Sequence, residues 1–300
     1  MLFHHHIPRI FILIAALTLI AAVGNAEPQT RSATGKKMDT LVTTEWLSEH
    51  LDDPDLVVLD CTVHVDMKEG GGFSHSSGRA DYEGGHIPSA GFADLLGDLC
   101  DGDSPLTFAL PTPEEFCAAM GALGVGEDSR VVLYDSYQSV WAARVWWMLR
   151  WVGFDRAAVL DGGLKAWTAE GRPLSTEPAN QTVKQFTPTV RPELIADRDE
   201  VLAAIENDAV FLIDSLPEPS FRGEMAMYGR AGHIPSASNI PSGSLLDESG
   251  RYKPQDELDA MHDHGHDARV ITYCGGGIAA SSNAFVMTRL GFTDVAVYIA

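Results

Sequence analysis

The chain has 300 residues, an apolar share of 45% and a formal net charge of −21. That length suits two domains, each able to bury a core. The acidic balance argues against nucleic-acid or anionic-membrane partners, so an anionic substrate would need a locally positive site against the global field.

In chain order, Ile10 to Val23 is almost wholly apolar, follows Arg9 and ends before the small residues Gly24-Asn25-Ala26. A signal peptide over residues 1–26 is expected, with a periplasmic or secreted product and no stable membrane association after its removal. A cytoplasmic or membrane-anchored chain is the alternative. His4-His5-His6 reads as part of this leader. Thr43 or Thr44 caps a helix to about Leu51, and a strand follows at Leu56–Asp60. Thr112-Pro113-Glu114-Glu115 is a capping box that starts a helix to about Leu123. A strand is predicted over Arg130–Tyr134, then a tryptophan-rich helix over about 140–152, a strand at Ala157–Leu160 and a helix containing Trp167. Residues 175–192 hold Pro178, Pro188 and Pro192 without helical period and read as a linker. Beyond it come a helix near 198–206, a strand at 210–214, a helix near 255–262, a strand at 269–273, a helix at 279–290 and a strand at 295–299. Short apolar strands alternating with helices imply an α/β fold whose sheets are mainly parallel and covered by helices on both faces.

The chain also repeats itself. Gly85-His86-Ile87-Pro88-Ser89-Ala90 recurs as Gly232-His233-Ile234-Pro235-Ser236-Ala237. Leu56–Asp60 parallels Val210–Asp214, Arg130–Asp135 parallels Arg269–Cys274, and Gly153-Phe154 parallels Gly291-Phe292. Such ordered matches at this period mean a duplicated domain, with copies over 41–174 and 193–300. The second copy stops short of the helix that the first has around Trp167. A shortened sequence and an exposed flank both remain open readings of that difference.

One substitution between the copies is chemical. Cys274 ends a β-branched run and precedes Gly275-Gly276-Gly277-Ile278-Ala279, where a helix begins. A thiol in a glycine loop over a helix N-terminus faces inward N–H groups and partial positive charge, and both favour the nucleophilic thiolate. The first copy has Asp135 at this place and is read as catalytically silent. Cys61, Cys100 and Cys117 all fall in the first copy and are read mainly as buried thiols, with one internal bridge allowed.

These segments resemble the two-domain rhodanese family, which comprises thiosulfate and 3-mercaptopyruvate sulfurtransferases. The GHIPSA segments are similar to that family's GHIPGA, and residues 144–167 to the end of its first domain. The resemblance spans about Leu41 to Ala300 and implies two tandem rhodanese-like domains with no cofactor and no metal. It also implies a small anionic sulfur donor, a cyanide or thiol acceptor, and a persulfide on Cys274 held by loop N–H groups from Gly275 to Ala279. Arg222, in Phe221-Arg222-Gly223, resembles the family's donor-binding arginine, and Arg230 is a second candidate. Asp214 is expected to orient loops, and His86 and His233 to support turns.

The loop departs from both donor types. Mercaptopyruvate enzymes resemble CGSGVT, but the serine position is Gly276. Vertebrate thiosulfate enzymes resemble CRKGVT, but both basic positions are glycine. Their threonine is Ala279, a second arginine after the strand aspartate is missing near Leu216, and a first-domain histidine of mercaptopyruvate enzymes corresponds to Phe108. Three other classes compete with this reading. A phosphatase needs an arginine six positions after the cysteine, which is Ala280. A rhodanese-type binding or regulatory module, carrying persulfide sulfur for a protein partner, is the alternative of a different class. A metal site at His262-Asp263-His264-Gly265-His266-Asp267 loses to a solvated loop, because alternating spacing does not gather these groups on one helical face.

Overall fold

The computed structural model describes residues 1–2, 38–67, 72–227 and 230–299. The chain divides into units 1–37 and 38–300, and all that follows concerns the second. The leader segment of the sequence reading therefore lies outside the described residues. No helix among the described residues is long and apolar enough to cross a membrane.

The first half comprises β1 (Leu41–Val42), α1 (Thr44–His50), β2 (Leu56–Asp60), β3 (Val63–Met67), β4 (Phe73–Ser77), α2 (Arg79–Gly84), β5 (Gly91–Phe92), α3 (Pro113–Ala122), β6 (Arg130–Tyr134), α4 (Val140–Trp151), β7 (Ala157–Leu160) and α5 (Gly163–Ala169). The second comprises β8 (Ile195–Ala196), α6 (Arg198–Ala204), β9 (Val210–Asp214), α7 (Glu218–Phe221), β10 (Ser238–Asn239), α8 (Gln255–Asp259), β11 (Arg269–Tyr273), α9 (Ile278–Leu290) and β12 (Asp294–Tyr298). Local chemistry sets several of these boundaries. Thr43 accepts from Trp46 N–H at the start of α1, and Thr112 and Glu115 form the reciprocal capping box of α3. Gly291, in a left-handed conformation, ends α9.

Among the described residues there are two five-stranded parallel sheets, ordered β1-β7-β6-β2-β5 and β10-β9-β11-β12-β8. Element for element these are one topology used twice. In each, a strand of full length ends in the middle of the sheet, Tyr134 in the first and Tyr273 in the second, and hands the chain to a long helix. The antiparallel hairpin β3–β4 belongs to the first half and was not foreseen.

The two halves meet along α4 and α9. Almost every residue of both helices is buried, which explains why α4 has no polar stripe. Trp146 stands edge-on to Phe285 across this contact, with ring centroids 4.9 Å apart. Such a pair contributes about 0.5–1.5 kcal/mol beyond its area burial.

The proline-rich stretch 175–192, read as a linker, runs along the first half. Its backbone is bonded to the first half through Lys184 N–H to Gly121, Thr189 N–H to Val152 and Arg191 N–H to Trp151. The histidine loop, expected to be solvated, is partly packed into the core. His262 is buried between the Leu258 carbonyl and Asn283, and His264 stacks on Phe211 at 4.0 Å. Aromatic packing and hydrogen bonds hold these side chains. No group of three or more metal-ligating side chains is gathered among the described residues.

Candidate active site

Cys274 is half-buried at the C-terminal end of β11, and α9 begins four residues later at Ile278. Gly277 lies between them with φ +76°, a conformation a Cβ would strain. Its carbonyl accepts the Ser281 hydroxyl at 2.6 Å, and Thr272 beneath the loop donates to the Ala280 carbonyl at 3.0 Å. The loop is thus pinned from within the helix and from the strand. The N–H groups of Gly275 to Ala279 lie in this loop and in the first turn of α9, where helix geometry supplies no carbonyl partner. An anion on the Cys274 sulfur is the natural acceptor for them.

The first half shows the same device already filled. Asp135, at the equivalent strand end, is buried. Its Oδ1 accepts from Tyr137 and Ser139 N–H at 2.7 and 3.0 Å, and its Oδ2 from Trp141 and Ala142 N–H at 3.0 and 2.9 Å. Burial pushes this carboxyl up to about 7 against the downward pull of the Ala142, Tyr137 and Ser139 amides. Its loop is one residue longer: Ser139 precedes α4 where Gly277 precedes α9.

A cleft of about 630 Å³ opens over Cys274 and Gly275. Arg198 at the start of α6, Arg230 and His233 bring positive or proton-binding groups to its wall, and Asp214 the opposing carboxylate. Neither Arg198 nor Arg230 makes an ion pair among the described residues, so both are available to an anion. Asp214 is buried; its carboxylate accepts from Leu216 N–H at 2.8 Å and from the Tyr273 hydroxyl. The Tyr273 oxygen in turn accepts from Ile234 N–H at 3.0 Å, which ties the strand end to the second GHIPSA turn. His233 stacks on Phe221 at 3.7 Å and bonds its carbonyl. In the first half His86 does the same with Tyr82, at 4.1 Å. Each histidine braces a turn whose serine, Ser89 or Ser236, has φ 67°.

The rhodanese-like domain family matches residues 43–170 and 197–300. The chain belongs to the two-domain rhodanese family of sulfurtransferases. It is 33% identical to 3-mercaptopyruvate sulfurtransferase of Escherichia coli (strain K12), covering 86% of this chain and 91% of that protein. It is 32% identical to thiosulfate sulfurtransferase of Cricetulus griseus, covering 86% and 89%. The solved structure of SseA from Escherichia coli, a 3-mercaptopyruvate sulfotransferase, superposes with a TM-score of 0.77 at 33% identity, covering 87% of this chain and 98% of that one.

For a rhodanese, the arginines divide in an unexpected way. Arg222 caps the short helix α7 and forms an ion pair with Glu218 one turn back, with 59% of its side chain exposed. It is not among the residues lining the cleft, whereas Arg230 and Arg198 are. Arg198 drew no attention in the sequence, because an arginine in the first turn of an exposed helix carries no local signal. Phe108 does reach the rhodanese loop from the first domain: a Cβ built on Gly276 would lie 3.1 Å from the Thr107 carbonyl and 3.5 Å from the Phe108 ring. A larger residue at 276 would have to displace that segment, which rationalises glycine there.

Arg144, on α4 of the first domain, reaches the same loop. A Cβ on Gly277 would lie 2.7 Å from its Nη1 and 3.2 Å from Ile299. Gly277→Ala is therefore expected to suffer twice, from the left-handed backbone and from this contact. A penalty of about 1–2 kcal/mol for the backbone alone corresponds to a roughly tenfold slower transfer if it falls on loop geometry. Steady-state transfer and thermal unfolding of the variant check this; wild-type values for both would show that the loop tolerates a side chain.

Proposed function

We propose that this sulfurtransferase moves a sulfane sulfur from thiosulfate or 3-mercaptopyruvate to cyanide or a thiol acceptor through a persulfide on Cys274. The observation that carries this reading is the half-buried Cys274 thiol in an arginine-walled cleft, on a loop whose counterpart in the first domain already holds a carboxyl group through four amides. The Cys274 thiolate attacks the outer sulfur of thiosulfate. A new S–S bond forms, the S–S bond of the donor breaks, and sulfite leaves with the bonding pair. From 3-mercaptopyruvate the C–S bond breaks instead, and the pyruvate enolate takes a proton from water. Cyanide or a thiolate then attacks the outer sulfur of the persulfide and releases the Cys274 thiolate. This is covalent catalysis in two half-reactions. The amides from Gly275 to Ala279 stabilise negative sulfur as an oxyanion hole stabilises oxygen.

Arg230 and Arg198 hold the donor anion in this scheme, and the carboxylate of 3-mercaptopyruvate or the sulfonate end of thiosulfate offers them the same charge. The test compares the two donors in steady-state sulfur transfer to cyanide. Arg230→Ala is expected to raise the donor KM about tenfold, the loss of one charge-assisted hydrogen bond at an exposed site. Arg222→Ala should change it less than about twofold, as expected for an exposed ion pair. The reverse ranking would return the donor to Arg222, and transfer from neither donor would remove both from the reading.

A further inference from the structure

Arg144 is buried to 1% exposure in the middle of α4, yet no carboxylate pairs with it among the described residues. Its Nη2 donates to the Phe108 carbonyl at 2.9 Å, and the guanidinium lies 5.1 Å from the Trp147 ring centroid. Nε and Nη1 are buried without a hydrogen-bond partner. A buried cation with two unused donors is costly to fold, and a buried charge without compensation is rare. The compensation lies on the other domain. Nη1 is the atom that a Gly277 Cβ would meet, and a negative charge on Cys274 is close enough to oppose the effect of burial on this guanidinium. Burial lowers its pKa to about 10, so it remains charged at neutral pH. In the repeat register the corresponding residue of α9 is Ser282, so α9 carries no cation at the place where α4 has one.

We propose that Arg144, contributed by the silent first domain, is a positioning residue for sulfur transfer: lodged against Gly277 and tied to Phe108, it holds the Cys274 loop in its anion-binding shape and sets a fixed positive charge behind the sulfur. The inference rests on Cys274 being the sulfur carrier. It gives the first domain a chemical part in the reaction although its own loop is filled by Asp135. Phe108 joins the two effects, since its carbonyl receives Nη2 while its ring covers Gly276. The other charged or titratable groups around the thiol are Arg198 from α6, Asp214 after β9, Arg230 and His233 from the loop that follows α7, Tyr273, and Tyr298 at the end of β12. His75 of β4 stands behind Phe108, 4.9 Å from its ring. Arg144 differs from the other two arginines in being buried and in coming from the first domain, on the Gly277 side of the loop.

The experiment is the rate of Cys274 alkylation by iodoacetamide against pH, read peptide by peptide on the full chain, for the wild type, Arg144→Lys, Arg144→Gln and Arg144→Met. Removing a nearby positive charge disfavours the thiolate, so the midpoint in the Gln and Met variants should move up by about one pH unit. Transfer at neutral pH should fall about tenfold with it, with little change in donor KM. Lys keeps the charge and should stay close to the wild-type midpoint. Gln keeps a donor for Phe108 and supports the fold where Met does not, so it separates charge from packing. A wild-type midpoint in the Gln variant would overturn the proposal while leaving Cys274 as the carrier. Wild-type protein that still transfers sulfur after Cys274 is fully alkylated would instead overturn the carrier assignment itself.

Discussion

Cys274→Ser is expected to lose sulfur transfer by at least about 10⁴-fold while keeping its fold, the scale seen when an essential nucleophile is removed. Serine is nearly isosteric and fits the half-buried strand end, so the loop amides and the cleft survive. What disappears is the thiol, a better nucleophile than a hydroxyl, and no base stands ready to activate the serine. His233 lines the cleft, but its Nδ1 is bonded to the Phe221 carbonyl and its ring is stacked on Phe221. The other thiols cannot take over. Burial raises Cys61 well above an ordinary thiol, pushes Cys117 up to about 12, and raises Cys100, where Asp94, Asp101 and Asp98 add to the effect. A thiol held in its protonated form is a poor nucleophile. The measurement is intact mass after donor treatment together with the cyanide assay: the wild type gains one sulfur atom and the variant gains none. Residual transfer above about 1% of wild type would mean that sulfur travels by a route without Cys274.

This candidate nucleophile stands out in the sequence because everything that marks it is local. A strand ending on cysteine, three glycines and a helix start within a dozen residues, and the duplicated copy supplies an internal comparison. The sheets were readable for the same reason, since Leu56–Asp60, Arg130–Tyr134 and Val210–Asp214 are apolar runs bounded by turn residues. The groups that complete the site are not local. Arg144 reads as one arginine in a tryptophan-rich helix, and only the packing of α4 on α9 brings it to Gly277. Arg222 and Arg230 lie in one irregular segment, and sequence cannot tell which side chain turns to the cleft. Glu218, one helical turn before Arg222, was the available sign that this arginine had a partner of its own. The hairpin β3–β4 went unseen because Phe73-Ser74-His75-Ser76-Ser77 has too little apolar alternation to mark a strand.

Asp135→Ala is expected to destabilise the protein by about 3 kcal/mol while leaving the transfer rate per folded molecule unchanged. Four backbone N–H groups lose their acceptor together, and each orphaned buried donor costs about 1–3 kcal/mol. Two effects reduce that sum. A cleft of about 280 Å³ adjoins the loop and can admit water to the outermost amides, and the variant no longer buries a carboxyl group. The sign of the pH dependence follows from the direction of the shift. Burial raises this carboxyl from 3.8 to about 7, so its stabilising contribution is full below the unfolded value and is lost as pH rises through the folded one. The penalty for alanine should therefore be larger at pH 5 than at pH 8. Urea unfolding at the two pH values, with the slope against urea checked for constancy, reads this out. A loss below about 1 kcal/mol at pH 5 would mean that water replaces the carboxyl group at every amide. Unchanged transfer in the folded variant would set the roles of the two loops apart. Under the proposed mechanism the same ring of backbone donors serves structure in one domain, where the chain supplies its own carboxyl group, and chemistry in the other, where the acceptor is the sulfur that comes and goes.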